Sequence, residues 1–181
     1  MNSLIQRICG LAAVFLVTAC AALIAVADTP VNHMTRDEVL AENTTLPTEG
    51  YLSTAQPTEA VLDKAAAAGY TTVIDFRGED EDRGIDERAE VEARGMRYVS
   101  IPVATPDDAT WDKAEELGEV LASVDGPVLM HCFSGNRAAS MLAMTAKLEG
   151  ASSSEALALG KRAGLTRWES QIQAILEAPT P

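Results

Sequence analysis

Apolar positions along this chain fall into one unbroken run and then a set of short periodic segments. The run covers residues 10–27, follows the single charge of Arg7, and closes on Ala25-Val26-Ala27 before Asp28-Thr29-Pro30. This is the layout of a secretory signal with an A-x-A cleavage site. Residues 1–27 are therefore expected to be a signal peptide cut near Ala27, leaving a periplasmic or secreted chain. Two other readings compete. The run approaches the length that spans a bilayer and would serve as a retained anchor. Val17-Thr18-Ala19-Cys20 also resembles a bacterial lipobox, which would place a lipid on Cys20, although the apolar residues 21–27 are unusual after a lipidated cysteine.

Residues 28–50 mix polar residues with Pro30 and Pro47 and are expected to be an N-terminal lead-in, with room for one short helix over 35–42. Regular patterning starts at Tyr51. It predicts a strand over 51–54, a helix over 59–68 closed by Gly69, and a β-branched buried strand over 71–76. An acidic loop over 78–84 follows, then a helix over 85–94 closed by Gly95, and a strand over 97–103 that Pro102 ends or confines to an edge. Thr105-Pro106-Asp107-Asp108 has the makings of a helix start: Thr105 as N-cap, Pro106 in the first turn and Asp108 closing a capping box. That helix is expected to run to about Ser123. Gly126-Pro127 turns the chain into a short strand over 128–131, followed by a helix over 138–148 that stops at Gly150. Ser152-x-x-Glu155 and Thr166-x-x-Glu169 are two further capping boxes, predicting two C-terminal helices. Alternation of strand and helix implies an α/β fold: a single three-layer domain over 51–181, with a mainly parallel central sheet flanked by helices.

Charge and cysteine content narrow the function. A net charge of −13 repels nucleic acid and anionic lipid, so neither is expected as a partner. Cys9 and Cys20 lie in the signal, so its removal leaves Cys132 alone and no intramolecular disulfide to form. With His33 and His131 as the only histidines and no paired cysteines, no zinc site is expected, and no cofactor. The sequence does not set the oligomeric state.

Chemistry concentrates in His131-Cys132-Phe133-Ser134-Gly135-Asn136-Arg137. A strand end, a short glycine-containing loop and a helix start point backbone N–H groups at one spot, which makes an anion site. The same donors and the helix dipole favour the thiolate of a cysteine placed there, and the thiolate is the nucleophile. A cysteine after an apolar strand is ordinarily a small core residue, and Gly135 and Asn136 also form plain turns. Neither reading explains Arg137 at a helix start, where the dipole disfavours a cation unless an anion accompanies it. Its planar fork suits two oxygens of a phosphate. His131 is expected to end the strand and orient the loop, not to act as a general base.

The run His-Cys-x-Ser-Gly-Asn-Arg resembles the phosphate loop of the cysteine-dependent protein phosphatases and the active loop of rhodanese sulfurtransferases. Four residues separate Cys132 from Arg137, where the phosphatase signature has five; four is the rhodanese-like spacing. The chain is also similar to the phosphatase-like domain of the beta-lactamase-hydrolase-like family, which carries the shorter loop. Thr54-Ala55-Gln56-Pro57, Gly69-Tyr70-Thr71-Thr72-Val73-Ile74-Asp75-Phe76-Arg77 and Tyr98-Val99-Ser100-Ile101-Pro102-Val103 carry that likeness, which spans residues 51–165. The resemblance implies a cysteine-phosphatase-like fold and a phosphorylated small molecule or protein as substrate. Cys132 would attack phosphorus to form a phosphocysteine, while Arg137 and the loop residues Phe133, Ser134, Gly135 and Asn136 hold the oxygens. A general acid would come from upstream: Asp107 first, since the capping box leaves it free, then Asp108 and Asp112. Ala138 stands where such phosphatases have Ser or Thr. Two rival functions remain: a rhodanese-type sulfurtransferase with a persulfide on Cys132, and a non-catalytic module that binds a phosphorylated or other anionic ligand.

Overall fold

A computed structural model describes residues 26–181, so the expected signal peptide, Val26 and Ala27 apart, and the alternative lipid attachment at Cys20 fall outside the described residues. Those two open a 3₁₀ turn, Val26–Asp28, in which Val26 is buried in the core and its N–H donates to the Glu149 carboxylate. A cut at or before Ala25 keeps this packing, whereas one after Ala27 removes it. Among the described residues no helix is long and apolar enough to cross a membrane.

Five strands, β1 (Val31–Met34), β2 (Tyr51–Thr54), β3 (Thr72–Asp75), β4 (Arg97–Ser100) and β5 (Val128–His131), form one sheet in the order β1-β2-β5-β3-β4, and every pairing is parallel. The helices are α1 (Arg36–Leu40), α2 (Glu59–Ala67), α3 (Glu87–Ala93), α4 (Trp111–Ala122), α5 (Asn136–Leu148), α6 (Ser153–Arg162) and α7 (Glu169–Glu177). Side chains alternate across the sheet. Leu52, Val73, Tyr98 and Leu129 pack in one core with Val61, Leu62 and Val91 of α2 and α3. Ile74, Val128 and Met130 pack on the opposite face with Leu117, Leu142 and Ile172 of α4, α5 and α7. The expected three-layer α/β architecture is thus the observed one.

Four departures have local causes. The lead-in contributes β1, which pairs with β2 and extends the sheet into residues 28–50. The capping box of Thr105 and Asp108 forms on a 3₁₀ turn, Pro106–Asp108, and not on the long helix. Ala109 leaves helical geometry, and Thr110 caps α4 afresh by accepting the Lys113 N–H. Helix α5 starts at Asn136 because Gly135, at φ 89°, serves as its N-cap in a conformation that favours glycine. Finally, Ser152 and Glu155 cap α6 as expected, but α7 starts at Glu169 with Trp168 as N-cap, and Thr166 is committed elsewhere.

Candidate active site

In an open parallel sheet, ligands bind beyond the carboxyl ends of the strands. β5 is central, and Thr54, His131 and Asp75 lie side by side at that end. The chain leaves His131, turns through Cys132 to Gly135 and enters α5. Cys132 is buried, and its Sγ accepts the N–H groups of Gly135 at 3.0 Å and Ser134 at 3.4 Å. A side chain at Gly135 would be strained at that φ, which is why glycine stands here, and its Cβ would also press on His33 Cε1 at 3.2 Å.

Arg137 projects from the first turn of α5 and is nearly buried. Its Nη1 donates to the Val103 carbonyl at 3.1 Å, and both Nη groups pair with the Glu81 carboxylate, Nη2 to Oε2 at 2.8 Å. Burial opposes the guanidinium charge, but Glu81 and Cys132 more than offset it, and its pKa lies above the ordinary value. The Arg137 hydrogen bond in turn holds the Glu81 carboxyl below the usual range against its partial desolvation, so this pair is ionised at neutral pH. The sequence reading missed Glu81, which sits in the acidic loop over 78–84. The available signal was the need of Arg137, a cation at a helix start, for a counter-anion.

Phe133 is 61% exposed and separates two clefts that share Phe133 and Ser134. One, of about 450 Å³, is lined by Glu81, Pro106, Asn136, Arg137, Arg167 and Trp168 among others. The other, of about 640 Å³, is lined by His33, Arg36, Gln56 and Asp82. The Asn136 side chain is directed away from an anion role: its Nδ2 donates to Thr166 Oγ1 and its Oδ1 accepts the Thr166 N–H, both at 3.0 Å. Asp107 is exposed on the 3₁₀ turn and lines neither cleft, although its neighbour Pro106 does. Asp108 is held by Thr105, whose backbone N–H keeps its pKa low. Asp112 lines a different cleft, with Trp111 and Glu149.

Behind the loop lies a cluster of buried charges. Arg77 donates through its N–H and Nε to Asp75 Oδ1, both at 2.9 Å, through Nη2 to Asp75 Oδ2 at 2.8 Å, and also to Glu87. Tyr98 donates its hydroxyl to Asp75 Oδ2 at 2.8 Å. His131 Nε2 lies 2.6 Å from Glu87 Oε1, an electrostatic contact off the hydrogen-bonding direction, and 3.9 Å from Asp75 Oδ1. Burial pushes the Asp75 pKa up, yet hydrogen bonds from Arg77 and the charges of His131 and Arg77 outweigh it and hold it at about 2. Asp75, Glu87 and His131 have donor atoms within 4.8 Å of one another, as a metal site would. Arg77 already provides the positive charge among those carboxylates, so the cluster fits an internal ion network better than a cation site.

A family model described as the phosphatase-like domain of beta-lactamase hydrolase-like protein matches residues 43–149. The beta-lactamase hydrolase-like protein of Agrobacterium fabrum (strain C58) is 30% identical over 99 residues, covering 52% of this chain and 23% of that protein. The match therefore spans under a quarter of that relative. Solved structures share the fold. A candidate phosphatase from Neisseria meningitidis Z2491 is 22% identical with a TM-score of 0.56, covering 65% of this chain and 87% of its own. Tk-PTP in its active form is 22% identical with a TM-score of 0.53, covering 71% of this chain and 90% of its own.

Proposed function

Since this chain belongs to the phosphatase-like domain family of the beta-lactamase hydrolase-like proteins, we propose that it is an exported hydrolase of phosphate esters that works through a phosphocysteine on Cys132. The observation that carries this reading is the pair of N–H groups converging on Cys132 Sγ with the Arg137 guanidinium beside it. The thiolate attacks phosphorus, and the bond to the ester oxygen breaks as that oxygen takes a proton. Water then attacks the phosphocysteine, the P–S bond breaks, and phosphate leaves. Arg137 and the loop amides stabilise the equatorial oxygens in both steps. An incoming phosphate competes with Glu81 for the two Nη groups, so Glu81 holds the guanidinium in its binding orientation until substrate arrives.

Arg137→Lys should raise KM and lower kcat together, because a point charge cannot make the bidentate contact, which holds the bound ester and strengthens on the equatorial oxygens in the transition state. Steady-state kinetics checks this, and a change confined to one constant would contradict it.

Asp107 is the proposed proton donor. It sits beside the cleft on the turn that carries Pro106, and no side-chain hydrogen bond or ion pair among the described residues engages it. Asp107→Asn should slow hydrolysis of an alkyl phosphate by ~10²- to 10⁴-fold, and that of nitrophenyl phosphate much less, since nitrophenolate leaves without a proton. Equal losses with both esters would reject Asp107. Asp108→Asn should lower the melting temperature slightly by weakening the capping box, whose acceptor becomes an uncharged amide oxygen, while leaving turnover intact.

The short loop and Ala138 favour sulfur transfer as the second reading. A tighter loop suits a persulfide, and Ala138 offers no hydroxyl to assist departure of the thiolate. Export is tested by cell fractionation with N-terminal sequencing: a full-length cytoplasmic chain would contradict it.

A further inference from the structure

Two arginines, Arg137 and Arg167, line the cleft beside the Cys132 loop, and Arg77 and Arg83 belong to the ion network around Asp75. Arg137 pairs with Glu81, Arg77 with Asp75 and Glu87, and Arg83 approaches Asp75. Arg167 differs. Its side chain is exposed on the rim of the cleft that holds Arg137, and its Nη2 donates to a neutral acceptor, Ser134 Oγ, at 2.9 Å. None of the ion pairs among the described residues includes it. In an acidic protein, this leaves a guanidinium with uncompensated charge one hydrogen bond from the loop that carries Cys132.

Its position is built into the fold. Thr166, immediately before it, is clamped by three hydrogen bonds to Asn136 at the start of α5. Trp168, immediately after it, packs against the core and caps α7. The backbone of Arg167 is thus pinned on both sides, and its side chain spans from that pin to Ser134. Phe133 and Trp168 add apolar surface to the same cleft, and Gln171 an amide. At about 450 Å³ the cleft is in the range that takes a small organic molecule, and is larger than a lone phosphate needs.

We propose that Arg167 is a specificity-determining residue that takes a second anionic group of the substrate. The preferred substrates are small phosphate esters carrying a further carboxylate or phosphate, with their carbon framework against Phe133 and Trp168. This rests on the hydrolase reading of Cys132. Arg137, compensated by Glu81, serves the reacting phosphate; Arg167 supplies the free charge that distinguishes a doubly anionic ester from a simple one. A guanidinium fork is well matched to either second group.

The test uses two esters that differ by one carboxylate, phenyl phosphate and 3-carboxyphenyl phosphate. Their kcat/KM values are measured with the wild type, Arg167→Gln and Arg167→Lys, and their affinities for Cys132→Ser protein, with and without Arg167→Gln, by calorimetry. The wild type should favour the carboxylate ester roughly tenfold, mainly through KM, as expected for a charged hydrogen bond at a partly wet rim. Arg167→Gln should bring that ratio close to one, Arg167→Lys should keep part of it, and added salt should erode it. Lack of preference in the wild type would overturn the proposal. So would an equal loss for both esters in Arg167→Gln, which would make Arg167 a positioning residue for Ser134. If neither ester turns over, the hydrolase reading fails on its own. The binding preference of Cys132→Ser then still decides the role of Arg167: tighter binding of the carboxylate ester supports it, and equal binding rejects it.

Discussion

Turnover of an aryl phosphate should fall by at least ~10³-fold in Cys132→Ser protein while the fold and anion binding persist. A serine hydroxyl is not ionised at neutral pH, and neither histidine hydrogen-bonds to residue 132: His131 is buried with its ring against Glu87, and His33 Nδ1 faces the Ser53 carbonyl at 3.1 Å. The substitution is nearly isosteric in a buried position, so the loop and the N–H groups of Ser134 and Gly135 keep their places. Initial rates, set beside the melting temperature and phosphate affinity, separate lost chemistry from lost structure. Near-normal rates would mean that water attacks the bound ester directly and that Cys132 is only a core residue.

The second large effect is on stability. Arg77→Ala should cost about 3 to 5 kcal/mol, since it strips a buried ion network of its central cation and strands the carboxylates of Asp75 and Glu87. Arg77 is fully buried and reaches neither cleft, so the loss is structural. The pH dependence gives the sign. In the wild type the Asp75 pKa is lowered to about 2 from 3.8, so its contribution is present in full above the unfolded value and is lost as pH falls through the folded one. Without Arg77, burial favours a protonated Asp75. The deficit of the variant should then be largest near neutrality and shrink on acidification. Urea denaturation at several pH values checks both points, and a deficit under 1 kcal/mol or one independent of pH would contradict the network as described.

What the sequence disclosed follows from how local each feature is. β2 and β5 were legible to the residue because Gly50 and Gly126-Pro127 mark where each begins and each segment is too short for a helix. β1 was not: each residue of Val31–Met34 is half-buried at the sheet edge, which yields neither a clean alternation nor a continuous apolar run. In the site, Cys132, Gly135 and Arg137 were legible together because the loop is contiguous and its chemistry needs those residue types. Glu81 was not, since it reaches Arg137 from 56 positions away and its loop looked like solvated acidic chain. The same holds for Arg77, whose partner Glu87 comes from another element, as does His131 on the far side of Glu87. Thr166-x-x-Glu169 shows a local motif overruled by a distant contact, because Asn136 claims the threonine that would have capped α7.

In this mechanism Cys132 carries the phosphoryl group. Wild-type protein mixed with phenyl phosphate, quenched in denaturant at mildly alkaline pH within the first turnovers and digested for mass spectrometry, tests it directly. The expected result is a phosphoryl adduct on the peptide containing Cys132, absent from Cys132→Ser protein treated alike. An unmodified Cys132 throughout, together with a persulfide on the same residue after incubation with thiosulfate, would contradict the phosphatase mechanism and assign the loop to sulfur transfer.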